Sequence, residues 1–262
     1  SITSASSSGK SWALSCLVNL CCQNLQSRDL KTFAQHVQEA SGGEGIKILV
    51  GVVKTGTSDA SLALPALRLL NQLCTSYHGD ESCITASEEL VSAILSMISN
   101  SKDKSVHEAA CVLLGNIDLN QQTLSTTSLV ILSESVSSLM AAYQDNEDLQ
   151  IAAMTAVSKL LRPSDQRDGV LEWDDLVSAI IASMGAYSRN LELQCIGCLA
   201  LSTIASSNDS CKLAIVSNGG IAALSAAIEN HTIGSQCSSS AIADLSLYAC
   251  TLFASLAACP LT

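Results

Sequence analysis

The apolar and polar positions of this 262-residue chain follow a pattern that recurs along its length. A mostly apolar phrase of twelve residues occurs six times, and successive phrases begin 53, 44, 43, 44 and 52 residues apart. The three near-equal spacings indicate an internal repeat, with longer loops in its first and last intervals. The phrases are GKSWALSCLVNL (9–20), LALPALRLLNQL (62–73), VHEAACVLLGNI (106–117), LQIAAMTAVSKL (149–160), LQCIGCLALSTI (193–204) and LSLYACTLFASL (245–256).

Each phrase has the periodicity of a helix. Its last residue is always apolar, and the residues three and four positions earlier are apolar in most phrases, as Leu201 and Ala200 are before Ile204. Side chains at these spacings share one face of a helix with 3.6 residues per turn. Six helices are therefore predicted, and they close at Leu20, Leu73, Ile117, Leu160, Ile204 and Leu256.

A second set of apolar segments lies between the phrases and predicts a second helix in each repeat. Several of these segments open with acidic residues, such as Glu88 and Glu89 or Asp174 and Asp175. Acidic side chains in the first turn of a helix are stabilised by the helix macrodipole. The second helices are predicted at 42–53, 87–98, 133–143, 173–187 and 218–228.

One repeat, NDSCKLAIVSNGGIAALSAAIENH (208–231), resembles an armadillo repeat: a short first helix, an Asn-Gly-Gly turn and a second helix. The twelve-residue phrases correspond to the third helix of such a repeat. A spacing of 43–44 residues lies between armadillo and HEAT lengths, so HEAT repeats remain an alternative. The resemblance implies an all-α protein whose repeats stack into a right-handed superhelix.

The repeats also predict how the domain is organised. We expect residues 1–8 to be a flexible serine-rich start and residues 9–262 to form the armadillo-like domain, with four full units and a partial unit at each end. Repeat arrays need polar caps at their ends. The partial units therefore lead us to expect either that the chain is part of a longer solenoid or that further chain covers the ends.

Composition and charge narrow the classes of partner. The net charge is −11, with 13 basic and 24 acidic residues, which disfavours nucleic-acid binding and favours a basic protein partner. No apolar run approaches the ~20 residues of a transmembrane helix. Most of the 12 cysteines lie in apolar helical runs, where free cysteine packs as a small hydrophobe. These features predict a cytoplasmic protein, with the nucleus as the alternative location.

The sequence offers little support for catalysis. Gly9, Lys10 and Ser11 match the end of a phosphate-binding loop, but Ser4 replaces its first glycine and no strand precedes it. The C-x-x-C pair of Cys195 and Cys198 has no second ligand pair for zinc and is expected to pack in a helix. The histidines form no nucleophile motif. We therefore predict no enzyme activity, no metal and no cofactor.

The best functional candidate is a polar residue just before the closing position of each third helix. In armadillo proteins such as importin alpha, an asparagine at this place hydrogen-bonds the backbone of an extended peptide, because an amide both donates and accepts. Asn19 and Asn116 match it. The residues one turn earlier include Arg68 and no tryptophan, which departs from importin alpha. The predicted partner-binding groove comprises Asn19, Arg68, Gln72, Asn116, Lys159, Thr203 and Ser255.

These observations predict a non-catalytic scaffold that binds a peptide or helix of a partner protein along the groove of third helices. The alternative is a transport or chaperone-associated adaptor of the armadillo type. A polar exposed side is also expected of any helix in a soluble protein, so solvation alone is a competing explanation of the polar positions.

Overall fold

The structure, a computed structural model, describes residues 50, 51, 53, 60–76, 88–117, 124–161, 173–232 and 239–258. From residue 60 onwards these ranges form ten α-helices and contain no β-strand. The helices are α1 (Ala60–Ser76), α2 (Glu88–Asn100), α3 (Lys104–Asn116), α4 (Thr126–Ala142), α5 (Glu147–Leu160), α6 (Asp174–Ala186), α7 (Leu191–Ala205), α8 (Asp209–Ser217), α9 (Gly220–Thr232) and α10 (Ser239–Ala257).

The helices confirm most of the predicted elements. The phrases that begin at residues 62, 106, 149, 193 and 245 lie in the helices α1, α3, α5, α7 and α10, with Ile117 as the C-cap of α3, and these helices keep the name third helices below. The second helices are α2, α4, α6 and α9. The phrase 9–20, Asn19 and the serine-rich start lie outside the described residues, as does most of the segment 42–53.

Two predicted helix starts need correction. The helix expected at 133–143 begins at Thr126, because the Ser125 hydroxyl accepts the Ser128 backbone N–H and the buried Leu129 and Leu132 extend the apolar face. The helix expected at 218–228 begins at Gly220, because Gly219 has a φ of 85° and ends the turn after α8. The short first helix predicted in this repeat is α8.

Three of the third helices share a repeated N-cap. Asp103, Asn146 and Asn190 each stand three residues before a phrase and cap α3, α5 and α7. Their side-chain oxygens accept backbone N–H groups two or three residues onward, at 2.9, 3.4 and 2.9 Å. Such caps satisfy donors that have no partner within the helix. The repeat therefore preserves the start of the third helix as well as its apolar face.

The described helices fall into two compact units, divided after Gln122. In the first unit, α3 packs against both α1 and α2. In the second unit the third helices contact one another in series, α5 with α7 and α7 with α10, and the second helices do the same in the order α4, α6, α9. The buried apolar side chains of these two series of helices include Val157, Ile180, Leu201, Leu224 and Leu252.

Hydrogen bonds between helices reproduce the period of the sequence. The Tyr187 hydroxyl donates to the Gln144 carbonyl at 2.8 Å, and Nε2 of His231 lies 3.1 Å from the Ser188 carbonyl, each across 43 residues. The side chains of Asn190 and Glu147 are also bonded at this separation. In the first unit, Nδ2 of Asn116 donates to Oδ1 of Asn71 at 2.8 Å, across 45 residues. Residues one repeat apart are therefore spatial neighbours within each unit.

Two buried glutamines form hydrogen bonds with carbonyl groups at the C-terminal ends of second helices. Nε2 of Gln150 donates to the Met140 and Tyr143 carbonyls, both at 2.9 Å. Nε2 of Gln194, 44 residues later, donates to the Met184 and Tyr187 carbonyls at 2.9 and 3.1 Å. Each glutamine is only 1% exposed. The last carbonyls of a helix lack partners within it, so each glutamine caps a second helix from the following third helix.

One helix of the described part is long and apolar enough to cross a membrane by length and composition alone. This segment, Ser240–Ala257, has a mean hydropathy of 1.4, and 22% of it is buried. Helices α8 and α9 meet the same test only if taken together across a 67° bend. In the structure Ser240–Ala257 belongs to α10, the third helix that packs against α7.

Candidate partner-binding surface

Each third helix of the second unit carries a stripe of four residues that are partly or fully exposed, and α10 has further exposed residues such as Ala243, Cys250 and Ala254. The stripes follow i, i+3, i+7 and i+11, which keeps the four side chains on one face of a helix. We call the three stripes together the third-helix face. Its residues are Asp148, Ile151, Thr155 and Lys159 on α5; Glu192, Cys195, Leu199 and Thr203 on α7; and Asp244, Leu247, Thr251 and Ser255 on α10.

The first residues of the stripes form an acidic row of Asp148, Glu192 and Asp244, all exposed. Two of these acidic residues are close enough to act on the thiol of Cys195. Burial raises the pKa of this thiol, and the charges of Asp244 and Glu192 raise it further, to about 11. Asp148 and Glu192 lie in first turns and complement helix macrodipoles. Asp244 is the sixth residue of α10, beyond the reach of that effect. The row therefore concentrates negative charge on the face.

The middle of the face is apolar or weakly polar. Ile151 and Cys195 are partly exposed, and Leu247 is 61% exposed. The hydroxyls of Thr155 and Thr251 each donate to a carbonyl four residues earlier, both at 2.8 Å. Their donors are used within the helix, which leaves methyl groups and acceptor lone pairs for a ligand. The face therefore offers apolar contact beside its acidic row.

The predicted groove residues of the second unit, Lys159, Thr203 and Ser255, occupy the last position of each stripe. Lys159 is exposed, and the other two are partly exposed. The hydroxyls of Thr203 and Ser255 donate to Leu199 and Thr251 carbonyls at 2.9 and 3.0 Å. Ser255 also lines a cleft of about 400 Å³ beside the end of α7. The structure therefore brings these three residues to one end of the face, where two hydroxyls act as acceptors.

The predicted groove residues of the first unit have different surroundings. Arg68 is exposed on α1, and Gln72 is partly exposed one turn later. Asn116 is partly exposed, and its amide donates to Asn71 of the neighbouring third helix. Asn116 therefore has a structural role in joining α3 to α1, which the sequence prediction did not include. Asn19 lies outside the described residues.

Sequence reasoning did not find the acidic and apolar rows. The prediction used a single position in each repeat, whereas the face becomes visible only when all four positions are aligned by repeat. The recurrence of Asp148 and Glu192 immediately before their phrases was the available signal.

Three of the six cysteines in the described ranges, Cys111, Cys198 and Cys211, are buried and pack as small apolar residues. Cys198 is fully buried, and burial raises its pKa to about 12. The half-buried Cys195 thiol donates to the Ala241 carbonyl at 3.6 Å. Within the described ranges, no group of three or more His, Cys, Asp or Glu side chains is placed to hold a metal ion. The predicted packing of Cys198 is confirmed, whereas Cys250 is exposed.

Because two thiols are buried, we expect the free energy of unfolding to fall at alkaline pH. Burial raises the pKa of Cys111 and of Cys198 from 9.0 to about 12, so both ionise more easily in the unfolded chain. Their stabilisation is complete below pH 9 and is lost as the pH rises towards 12. Compared with its value below pH 9, the free energy of unfolding at pH 9.5 should be lower by about 1 kcal/mol for each of the two thiols. Urea denaturation measures this difference. The variant C111A/C198A should flatten this pH dependence, whereas C250A should not; equal slopes in all three proteins would contradict the assignment.

Comparison with known proteins shows that this chain is similar in fold to solved structures. No protein-family model and no curated protein matches the chain. A crystal structure of an engineered protein from the Northeast Structural Genomics Consortium has a TM-score of 0.61 at 17% identity, over 98% of this chain and 93% of that chain. A second such engineered protein has a TM-score of 0.54 at 16% identity, over 99% of this chain and 67% of that chain. At these identities the similarity concerns the all-helical fold alone.

Proposed function

We propose that this chain is a non-catalytic scaffold of the armadillo or HEAT type, and that it binds a peptide or helix of a partner protein along the third-helix face. The observation that carries the proposal is a series of three third helices, each packed against the next, that present matching rows of partly or fully exposed residues. A linear ligand that crosses these helices meets the same kinds of side chain at each step. Such repetition suits an extended partner better than a small molecule.

The charge of the face favours a basic partner. Asp148, Glu192 and Asp244 place three carboxylates on the face, and Lys159 supplies its one positive charge. The whole chain carries a net charge of −11, which attracts basic ligands from solution. The apolar row provides contact area for the aliphatic parts of lysine and arginine side chains. A peptide that combines basic and apolar residues therefore matches the face.

The acidic row also supports a second candidate function, that of an adaptor of the armadillo type. A transport adaptor of the nuclear-import type would require basic clusters in its cargo. However, Arg68, Thr155, Leu199 and Thr251 stand where importin alpha has tryptophans, so the same mode of recognition is not expected. A chaperone-associated adaptor would need no basic cluster in its partner. Binding that weakens steeply with salt would favour the import-like candidate over the chaperone-associated one.

The experiment is a selection of random displayed peptides on the whole chain, followed by affinity measurement with fluorescent peptides. The test variant D148N/E192Q/D244N removes the acidic row, and the charge-matched control E134Q/D174N/E229Q removes exposed acids of the second helices. We expect selected peptides to be rich in Lys and Arg, and the test variant to bind them about tenfold more weakly.

The control should stay within about twofold of the wild-type affinity, because its charges lie on another set of helices. A further variant, K159A/T203A/S255A, tests the predicted groove positions directly. The proposal fails if both charge variants lose affinity equally, or if the selected peptides lack basic residues and bind all variants alike.

A further inference from the structure

The last of the third helices, α10, has an apolar side that no described residue covers. Ala243, Leu247, Cys250, Ala254 and Ala257 are all exposed, and Leu247 is 61% exposed. Their spacings of four and three residues place them along one side of the helix. We call these five residues the end face; Leu247 also belongs to the third-helix face. Exposed apolar residues alone do not define an interface, so the evidence lies in their counterparts in the earlier helices.

The counterparts of the end face are buried in earlier third helices. When the helices are aligned by their twelve-residue phrases, the position of Cys250 is occupied in α1, α5 and α7 by residues that are 0% exposed: Leu67, Met154 and Cys198. The position of Ala254 is occupied in α7 by Ser202, which is 6% exposed. The same side of a third helix is therefore closed inside the array and open on α10.

Two hydrogen bonds show what closes this side. Asn71 of α1, at the position of Ala254, accepts the amide of Asn116 from the next third helix at 2.8 Å. Cys195 of α7, at the position of Leu247, donates its thiol to a carbonyl of α10 at 3.6 Å. Each of these positions thus contacts the third helix that follows within its own unit. The end face of α10 therefore continues an interface that the chain already uses between its own repeats.

The second helices show the same change at the last described repeat. Ser133 of α4 and Val177 of α6 occupy equivalent positions, 44 residues apart, and are 5% and 0% exposed. Ile221 of α9, a further 44 residues on, is 45% exposed. The open apolar side is therefore a property of the whole repeat that contains α9 and α10.

Charge and side-chain size identify what can cover the end face. Asp244 is the only charged residue of α10, so the face suits another uncharged apolar helix rather than a charged partner. The chain itself supplies such a helix, because α10 of a second copy is identical, and two identical faces pack about a two-fold axis. With that axis near Cys250, the two helices run antiparallel. Leu247 of one copy then lies opposite Ala254 of the other, so a large residue meets a small one.

The charge of Asp244 selects the antiparallel arrangement over the parallel one. Asp244 lies six residues from Cys250, so the two carboxylates of an antiparallel pair are about 18 Å apart along the helix axes. This separation is about twice the screening length of ~8 Å at physiological salt. A parallel pair in register would place the two carboxylates side by side and would set leucine against leucine.

We propose that two copies of this chain associate through their end faces, with the two α10 helices antiparallel about a two-fold axis near Cys250. The occupant of the end face is thus a second copy of the chain. The proposal does not depend on the proposed function, because a scaffold could bind its partner as a monomer or as a dimer.

The first test is sedimentation equilibrium of the whole chain under reducing conditions, from about 1 to 300 µM, the range in which a small interface associates. We expect the average mass to rise towards twice that of the monomer. A254E places a carboxylate in the centre of the interface and should raise the dissociation constant of the dimer at least about tenfold. A226E adds the same charge on the exposed side of α9 and should change it by less than about twofold. Circular dichroism checks that both variants are folded.

The second test is cross-linking with a short bismaleimide, with the linked peptides identified by mass spectrometry. In the wild-type chain Cys250 should link to Cys250 of the second copy. In the C250A background, A243C mixed with A257C should give a link between residues 243 and 257. Neither of these proteins alone should link residue 243 to 243 or 257 to 257, because identical positions lie about 21 Å apart in the antiparallel pair.

A chain that stays monomeric up to about 300 µM would overturn the proposal, as would a dimer that A254E and A226E weaken equally. Links between identical positions 243 and 243 would show a parallel pair and would overturn the antiparallel arrangement. Other occupants are tested with the same two variants. If the chain is monomeric and A254E alone abolishes binding to phosphatidylcholine vesicles or to a selected peptide, then a membrane or a partner helix covers the end face, and the proposal is wrong.

Discussion

Replacing Gln194 with leucine should lower the free energy of unfolding by about 2–3 kcal/mol, although leucine is apolar and of similar size. The substitution removes two hydrogen bonds and leaves the Met184 carbonyl at the end of α6 without its glutamine partner. The Tyr187 carbonyl still accepts the Asn190 backbone N–H at 3.0 Å, so the greater part of the loss arises at Met184. Urea denaturation followed by circular dichroism measures the change.

Gln150, at the same position in the preceding repeat, provides a replicate of this substitution, and the exposed Gln144 provides a control. Gln150 makes the same contacts with Met140 and Tyr143, and the Tyr143 carbonyl accepts the Asn146 N–H at 3.1 Å, so Gln150→Leu should cost the same. Gln144 is exposed, and Gln144→Leu should change stability by less than about 0.5 kcal/mol. If leucine at residue 194 costs no more than leucine at residue 144, the glutamine does not cap the second helix.

Replacing Gly220 with alanine should destabilise the protein by about 1–3 kcal/mol. A Cβ atom there would lie 2.8 Å from the backbone carbonyl oxygen of Ile215 and would also overlap the Ile215 side chain. The carbonyl belongs to α8, so relief requires α8 and α9 to move apart. Thermal or urea unfolding of the variant measures the loss.

Gly185 provides the opposite case. A Cβ atom at this exposed position in α6 would meet nothing within 4 Å. Alanine there should therefore stabilise the protein by about 0.5–1 kcal/mol, through the conformational freedom that glycine has in the unfolded chain. Two Gly-to-Ala changes in second helices should thus have opposite signs. Equal effects would mean that the close approach at Gly220 has no energetic consequence.

Much of the fold could be predicted because the buried side chains of a helix recur along the sequence with the period of the helix itself. The third helices were predictable from apolar residues three and four positions apart, and Leu201, Ile204 and Leu252 are indeed buried. The Asn-Gly-Gly turn was predictable because few residues other than glycine adopt the positive φ of Gly219. The right-handed superhelix remains a prediction, as do the functional roles of the groove residues.

Other features depend on tertiary contacts that no local pattern specifies. Gln150 and Gln194 have the sequence character of surface residues, yet the neighbouring helix ends bury them. Their recurrence at one repeat position was the only local signal. His107 stands at the same position in an earlier repeat, and its Nε2 lies 3.0 Å from the Ser101 carbonyl. Likewise, no local pattern predicts that Ser183 is buried or that its hydroxyl has no hydrogen-bond partner among the described residues.

The most direct test of the proposed scaffold is site-specific photo-cross-linking with a selected basic peptide. A photoreactive amino acid replaces Thr155, Leu199 or Thr251 in the middle of the third-helix face, and Glu134 or Ala226 serves as the control position on second helices. Cross-links from all three third-helix positions and from neither control are the predicted result. Cross-links from the second-helix positions, with none from the third-helix positions, would show that the partner binds elsewhere and would contradict the proposed function.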